Sequence, residues 1–173
     1  MCRKDVEEPL KEVRHVLKRL GLNLNETKTH IVDATQAGFN FLGFTLQMSR
    51  GARTGKSYPN VRPADKLLKK IKARLTELTG RNLTVIPLGD IVGSVNRSLR
   101  GWANYFHYRN SSLFMSKVRN HAEERLRTHL MKSHKVKDRG AGLRRFPRTE
   151  LYGHYGLYKV PAVAGWCSAH ALA

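Results

Sequence analysis

A chain of 173 residues with 40% hydrophobic content is long enough to close a core, which excludes a disordered basic tail. Its 32 Lys and Arg against 13 Asp and Glu leave a formal net charge of +19, the mark of a protein with a polyanionic partner. Two cysteines at opposite ends, Cys2 and Cys167, exclude a zinc-binding pair or a disulfide framework, and no apolar run approaches the roughly 18 residues of a membrane span, so any membrane contact would be electrostatic.

In chain order, the first element is a helix. Asp5 and Glu8 have capping-box spacing, Val6, Leu10, Val13, Leu17 and Leu20 recur every three or four residues, and Gly21 stands where a left-handed C-cap is expected. Thr29–Val32 is short and β-branched, and Phe39–Leu46 alternates with Gly43 inside it. The two are expected to pair through the turn around Ala34–Gly38. A glycine inside a strand marks the close approach of another backbone or a ligand.

At about Phe44 the charge changes. Residues 1–44 carry 7 Lys and Arg against 6 acids, whereas residues 45–173 carry 25 against 7. Cations clustered in one part of a chain repel one another unless a polyanion neutralises them, and nucleic acid is the expected one. Gly51–Tyr58 reads as a basic connector. Pro63 suits a first helical turn, Leu67, Leu68, Ile71, Leu75 and Leu78 form an apolar stripe, Gly80 ends it, and Lys66, Lys69, Lys70, Lys72 and Arg74 fill the rest. A second helix from near Pro87 sets Ile91, Val95, Leu99, Trp102 and Phe106 on one side and Arg97, Arg100, Asn104 and Tyr108 on the other. Phe114, Val118, Ala122, Leu126 and Leu130 mark a third, and the three predict an antiparallel bundle. Ser133–Arg148, with Gly140, Gly142, Arg144, Arg145 and Pro147, reads as a linker or an RNA-ordered arm. Leu151–Ala173, with Tyr152, Tyr155, Tyr158 and Trp166, reads as a packed extension.

The run LGLNLNETKT (Leu20–Thr29), followed by GFNFLGF (Gly38–Phe44), resembles the end of the palm in group II intron-encoded reverse transcriptases. LRGWANYF (Leu99–Phe106) resembles a segment of the thumb, or X, maturase domain of the same family. The resemblance spans about Leu20 to Phe106 and weakens towards Lys159. It implies an α+β fold in which an amino-terminal helix and β-hairpin, a palm remnant over residues 1–48, precede a connector at 49–62. A mainly helical thumb/maturase bundle at 63–132 and a basic arm with a small extension at 133–173 complete the expected division.

The family's Y-x-D-D motif, whose aspartates hold Mg²⁺ in the intact polymerase, is not in this sequence: Asp5, Asp33, Asp65, Asp90 and Asp138 are never adjacent. The expectation is therefore a carboxyl-terminal fragment with no catalytic residue and no cofactor of its own, inactive alone. The resemblance makes Lys28 an auxiliary in an intact enzyme and Phe41, Leu42, Gly43 and Phe44 a primer grip, in which one face of a tight hairpin packs while Gly43 leaves room for a backbone. RNA binding falls to Arg62, Lys66, Lys69, Lys70, Lys72, Arg97, Arg100, Asn104, Tyr108, Arg109, Arg144 and Arg145, because cations grip phosphates while polar side chains reach base edges. Trp102 and Phe106, on the apolar stripe, are expected in the core.

The implied partner is group II intron RNA, bound to assist splicing. In the intact protein the implied activity is reverse transcription during retrohoming, on a primer–template duplex. Two other readings stand beside it: a split polymerase subunit that docks onto a separate chain carrying fingers and palm, and a nonspecific basic nucleic-acid-binding protein. Sparse cysteines and a charged opening segment suit a cytoplasmic location, in a bacterial cytosol or an organelle matrix. His121 and His129, eight residues apart with Glu124 between them, are too far apart for the ligand pair of a zinc helix.

Overall fold

The computed structural model describes residues 6–162, so Cys2, Asp5, Trp166 and Cys167 lie outside the described residues. The chain divides into two compact units, residues 1–33 and 34–173. The fold is α+β. Among the described residues, no helix is long and apolar enough to cross a membrane.

In the first unit, α1 spans Glu7–Arg19. Glu7 and Glu8 in its first turn and Lys18 and Arg19 in its last complement the helix dipole. It ends as predicted at Gly21 (φ +71°), where the Leu22 amide reaches the Leu17 carbonyl at 2.9 Å and the Gly21 amide reaches that of Lys18 at 3.0 Å. Thr29–Val32 is not a strand. Its β-branched side chains have propensity but no partner strand to pack against, and propensity alone does not make a ladder.

The second unit begins with a three-stranded antiparallel sheet in the order β1 (Phe39–Phe41), β2 (Phe44–Arg50), β3 (Ser57–Pro63). The strand expected over Phe39–Leu46 is therefore two. Phe41 faces Phe44 across a two-residue turn, and both turn residues have positive φ, Leu42 at 46° and Gly43 at 82°, the geometry that matches strand twist. The expected connector at 49–62 is instead the end of β2, a turn through Gly55 (φ +63°) and nearly all of β3. Pro59 and Pro63 argue against a strand on sequence grounds, yet β3 lies at the sheet edge, where a missing N–H breaks no ladder. Pro63 thus closes β3 rather than opening a helix.

Helices α2 (Asp65–Leu78), α3 (Leu88–Phe106) and α4 (Ser112–Ser133) follow as their periodicity predicts, with a single 3₁₀ turn at Arg81–Leu83 between the first two. Their stripes meet in one core: Leu68, Ile71 and Leu75 from α2, Val95, Leu99, Trp102 and Phe106 from α3, Val118, Leu126 and Leu130 from α4. Helix α4 touches α2, α3 and the two short helices that follow. It accordingly buries polar groups too, Glu123, Arg127 and His129 among them.

The expected arm is partly helical. Asp138 caps α5 (Arg139–Arg145) by accepting from the Ala141 amide at 2.5 Å, and α6 spans Arg148–Gly153. Phe146, Leu151, Leu157 and Val160 are buried in the common core, so the described part of the extension, up to residue 162, packs against the helices. Asn96 of α3 holds it twice, donating to the Gly156 carbonyl at 2.8 Å and accepting from the Tyr158 amide at 2.7 Å.

Candidate nucleic-acid interface

Helix α2 sorts its cations by rotation. At 100° per residue, Lys66, Lys70 and Arg74 follow one flank of the buried stripe, and Lys69 and Lys72 the other. Lys66, Lys69 and Lys70 are exposed, and Lys72 is half-buried. The second flank meets α4. There His121 Nε2 lies 3.0 Å from the Lys72 carbonyl, to which it donates, and 3.2 Å from Thr76 Oγ1. Burial lowers the pKa of His121, the bond to the Lys72 carbonyl opposes that, and the charges of Lys72 and Arg125 add to the lowering. Arg125 closes the end of α2 through Thr79 Oγ1 at 3.1 Å and the carbonyls of Thr76 and Thr79 at 3.4 and 3.3 Å. It serves as a side-chain cap for carbonyls at the end of the helix.

On α3, Arg97, Arg100 and Asn104 share one exposed face, as the spacing predicts. Arg97 donates to Ser94 Oγ at 3.0 Å, and the exposed Arg100 holds its guanidinium 5.2 Å from the centre of the Tyr158 ring, within cation–π range. Tyr108 is not on that face. The helix ends at Phe106, and Tyr108 and Arg109 lie in the following loop, Arg109 with φ of 45° and its Nε 3.2 Å from Tyr108 Oη. Arg62, at the end of β3, pairs with Asp65 at 3.0 Å and lies 5.4 Å from the Phe114 ring. Arg144 and Arg145 are exposed on α5, which packs against α4.

The residues Phe41, Leu42, Gly43 and Phe44 come together as the tip of the β1–β2 hairpin, seated on the helices. Tyr105 donates its hydroxyl to the Leu42 carbonyl at 2.8 Å, the Ala64 amide reaches the Gly43 carbonyl at 2.9 Å, and the Phe44 ring lies 5.2 Å from Phe106 and 5.9 Å from Tyr105. A Cβ on Gly43 would stand 2.8 Å from Leu67 Cδ1, so the glycine serves both the positive φ and the close approach of α2. Phe41 and Leu42 remain exposed. Lys28 belongs to the first unit, in a turn where its amide meets the Asn25 carbonyl at 3.1 Å.

Between α2, α3 and this tip runs a groove of about 530 Å³, with Leu67, Ile71, Trp102 and Phe106 on its apolar walls and Lys70, Arg74, Ser98 and Tyr105 around them. Spacing placed Trp102 and Phe106 in the core, where they are. The groove and Tyr105 escaped the sequence reading because both depend on the hairpin folding back onto α3. A second hollow, of about 630 Å³, lies along α4. Its charges are already paired with one another: Arg148 with Glu123 at 2.7 Å, and Arg127 with Glu124 at 3.0 Å. Among the described residues there is no group of three or more His, Cys, Asp or Glu placed together to hold a metal ion.

Comparison with known proteins adds one match: the family model for the group II intron maturase-specific domain covers residues 68–147, from α2 to the end of α5. No curated protein matches the chain.

Proposed function

We propose that this chain, whose residues 68–147 match the family model for the group II intron maturase-specific domain, binds the RNA of a group II intron and helps that RNA hold its splicing-competent fold. The observation that carries this is the coincidence of that domain with unneutralised cations on α2 and α3. Lys69, Lys70, Arg97 and Arg100 within it, and Lys66 just before it, are exposed, and none of them has a carboxylate partner among the described residues. Such rows of cations contact phosphates, position an RNA and carry no sequence information themselves, so selectivity comes from the shape of folded RNA and from polar groups such as Asn104.

The test is competition at physiological salt. Intron RNA should be retained against excess unrelated RNA and duplex DNA, and splicing of the intron should accelerate at low Mg²⁺. Equal displacement by all three competitors would reduce the protein to a nonspecific polycation binder.

One observation supports a second reading, a subunit that docks onto another chain. Helix α1 has no buried residue, and Val6, Val13, Val16 and Leu20 are exposed along it. An apolar stripe of that kind is stable against a partner surface. Primer extension on mixing with a chain carrying fingers and a metal-binding palm would establish it, and a mixture without activity or co-elution would reject it.

A further inference from the structure

The groove between α2 and α3 differs from the cationic faces beside it because its walls are aromatic and aliphatic. Trp102 and Phe106 are 4.9 Å apart between ring centroids, and Tyr105 stands edge-on to Phe106 at 4.8 Å. Tyr105 is 55% exposed, far more than a ring in a closed core, yet its hydroxyl is tied to the Leu42 carbonyl and its orientation is fixed. The buried indole N–H of Trp102 has no hydrogen-bond partner. Lys70 and Arg74 stand at the rim, and no carboxylate lines the groove. Arg74 pairs with Glu77, in a solvent-exposed contact that a phosphate would displace readily.

An immobilised, half-exposed aromatic ring beside Lys70 and the weakly held Arg74 fits one ligand chemistry, a nucleotide with its base unstacked and its phosphate outside. The volume lies within the ~300–1,000 Å³ of small-molecule sites, ample for a base. Stacking is sequence-tolerant because every base offers a π-face. An acidic peptide would meet the cations but leave the aromatic walls uncovered.

We propose that this groove takes one unstacked base from a single-stranded segment of RNA, held against Tyr105 and Trp102, with the adjoining phosphates on Lys70 and Arg74. The assignment rests on the RNA-binding reading above and gives it a second kind of contact, one that recognises unpaired nucleotides rather than charge.

The test uses the whole chain, with fluorescence anisotropy against a single-stranded oligoribonucleotide of about twelve nucleotides and against inorganic polyphosphate of matched charge. Tyr105→Ala should weaken oligonucleotide binding about tenfold, the size of one lost stacking contact, and leave polyphosphate binding unchanged. Tyr105→Phe, which keeps the ring but loses its tie to the Leu42 carbonyl, should lose far less affinity than the alanine variant. Because Trp102 and Trp166 are the two tryptophans, a Trp166→Phe background isolates the Trp102 emission. The oligonucleotide should quench that emission and polyphosphate should not.

Absence of quenching overturns the assignment whether or not the alanine variant folds, as does an equal loss of affinity for both probes. If those results fail while intron RNA still outcompetes unrelated RNA, the groove assignment falls and the proposed function stands. If the competition fails while quenching and the selective loss persist, the reverse holds.

Discussion

The Glu123 carboxylate is 3% exposed and receives donors from α6 on both oxygens: Arg148 Nε at 2.7 Å and the Tyr152 hydroxyl in a short bond. Burial and that bond raise the pKa of the Tyr152 hydroxyl far above its ordinary value, so it remains a donor across the working pH range. Replacing it by Phe leaves a buried charge short of a partner, and Tyr152→Phe should cost about 1.5–3 kcal/mol. The urea midpoint should fall while the slope stays unchanged. His121 sets a pH limit of the opposite kind. Its folded pKa lies below 6.5, so the unfolded chain takes up the proton first as pH falls. The stability contributed by the neutral ring is therefore complete above about pH 6.5 and is lost below it. Thermal melts should show a lower Tm at pH 5.5 than at pH 7.5, and His121→Gln, which keeps a donor towards the Lys72 carbonyl, should flatten that difference. A variant as pH-sensitive as the parent would remove His121 as its source. Neither role is legible in sequence, because a buried acid and a desolvated histidine look the same as exposed ones until a second helix is placed beside them.

At the level of elements, legibility followed periodicity. The stripes on α2, α3 and α4 were readable because a 3.6-residue repeat sustained over 14–22 residues leaves little ambiguity. The sheet was not. β3 carries two prolines that only an edge position permits, and Thr29–Val32 has strand-like composition with no ladder to join. Helix α5 is not legible in sequence because two glycines in seven residues hide a helix that its cap and its packing stabilise. Gly142 lies so close to Met131 that a Cβ there would overlap its side chain. The end of α4 offers a direct test of such backbone accounting. Its last turn closes as α1 does, the Val136 amide reaching the Met131 carbonyl at 2.8 Å, but the left-handed position is Lys135 (φ 56°) rather than glycine. A side chain there costs about 1–2 kcal/mol, part of which glycine's freedom in the unfolded chain returns. Lys135→Gly should stabilise the protein by about 0.5–1 kcal/mol, read as a rise in the denaturant midpoint. A fall would mean that the Lys135 side chain makes contacts worth more than its strain.

Over the whole molecule, the division of charge was the most legible property and the least local one. The composition alone assigned the excess to residues 45–173, but which cations stay in solvent was decided by packing. Of the α2 lysines, Lys66, Lys69 and Lys70 remain exposed, while Lys72 is drawn towards α4. If about six phosphates are engaged, raising salt from 50 to 200 mM should lower RNA affinity on the order of a thousandfold. Joint replacement of Arg97 and Arg100 by Ala should reduce the log–log slope by about 2, and a slope that does not move would clear the α3 face of phosphate contact. The hooks at Tyr105 and Asn96 have a further bearing on where this molecule can be cut. One ties α3 back to Leu42 and the other ties it forward to Gly156 and Tyr158, both beyond the 68–147 match. Leu151, Leu157 and Val160 also fill the core from outside that span. A protein trimmed to the matched residues would inherit the family's signature but not its insulation from water, so the smallest heritable block and the smallest self-supporting body are here two different lengths of chain.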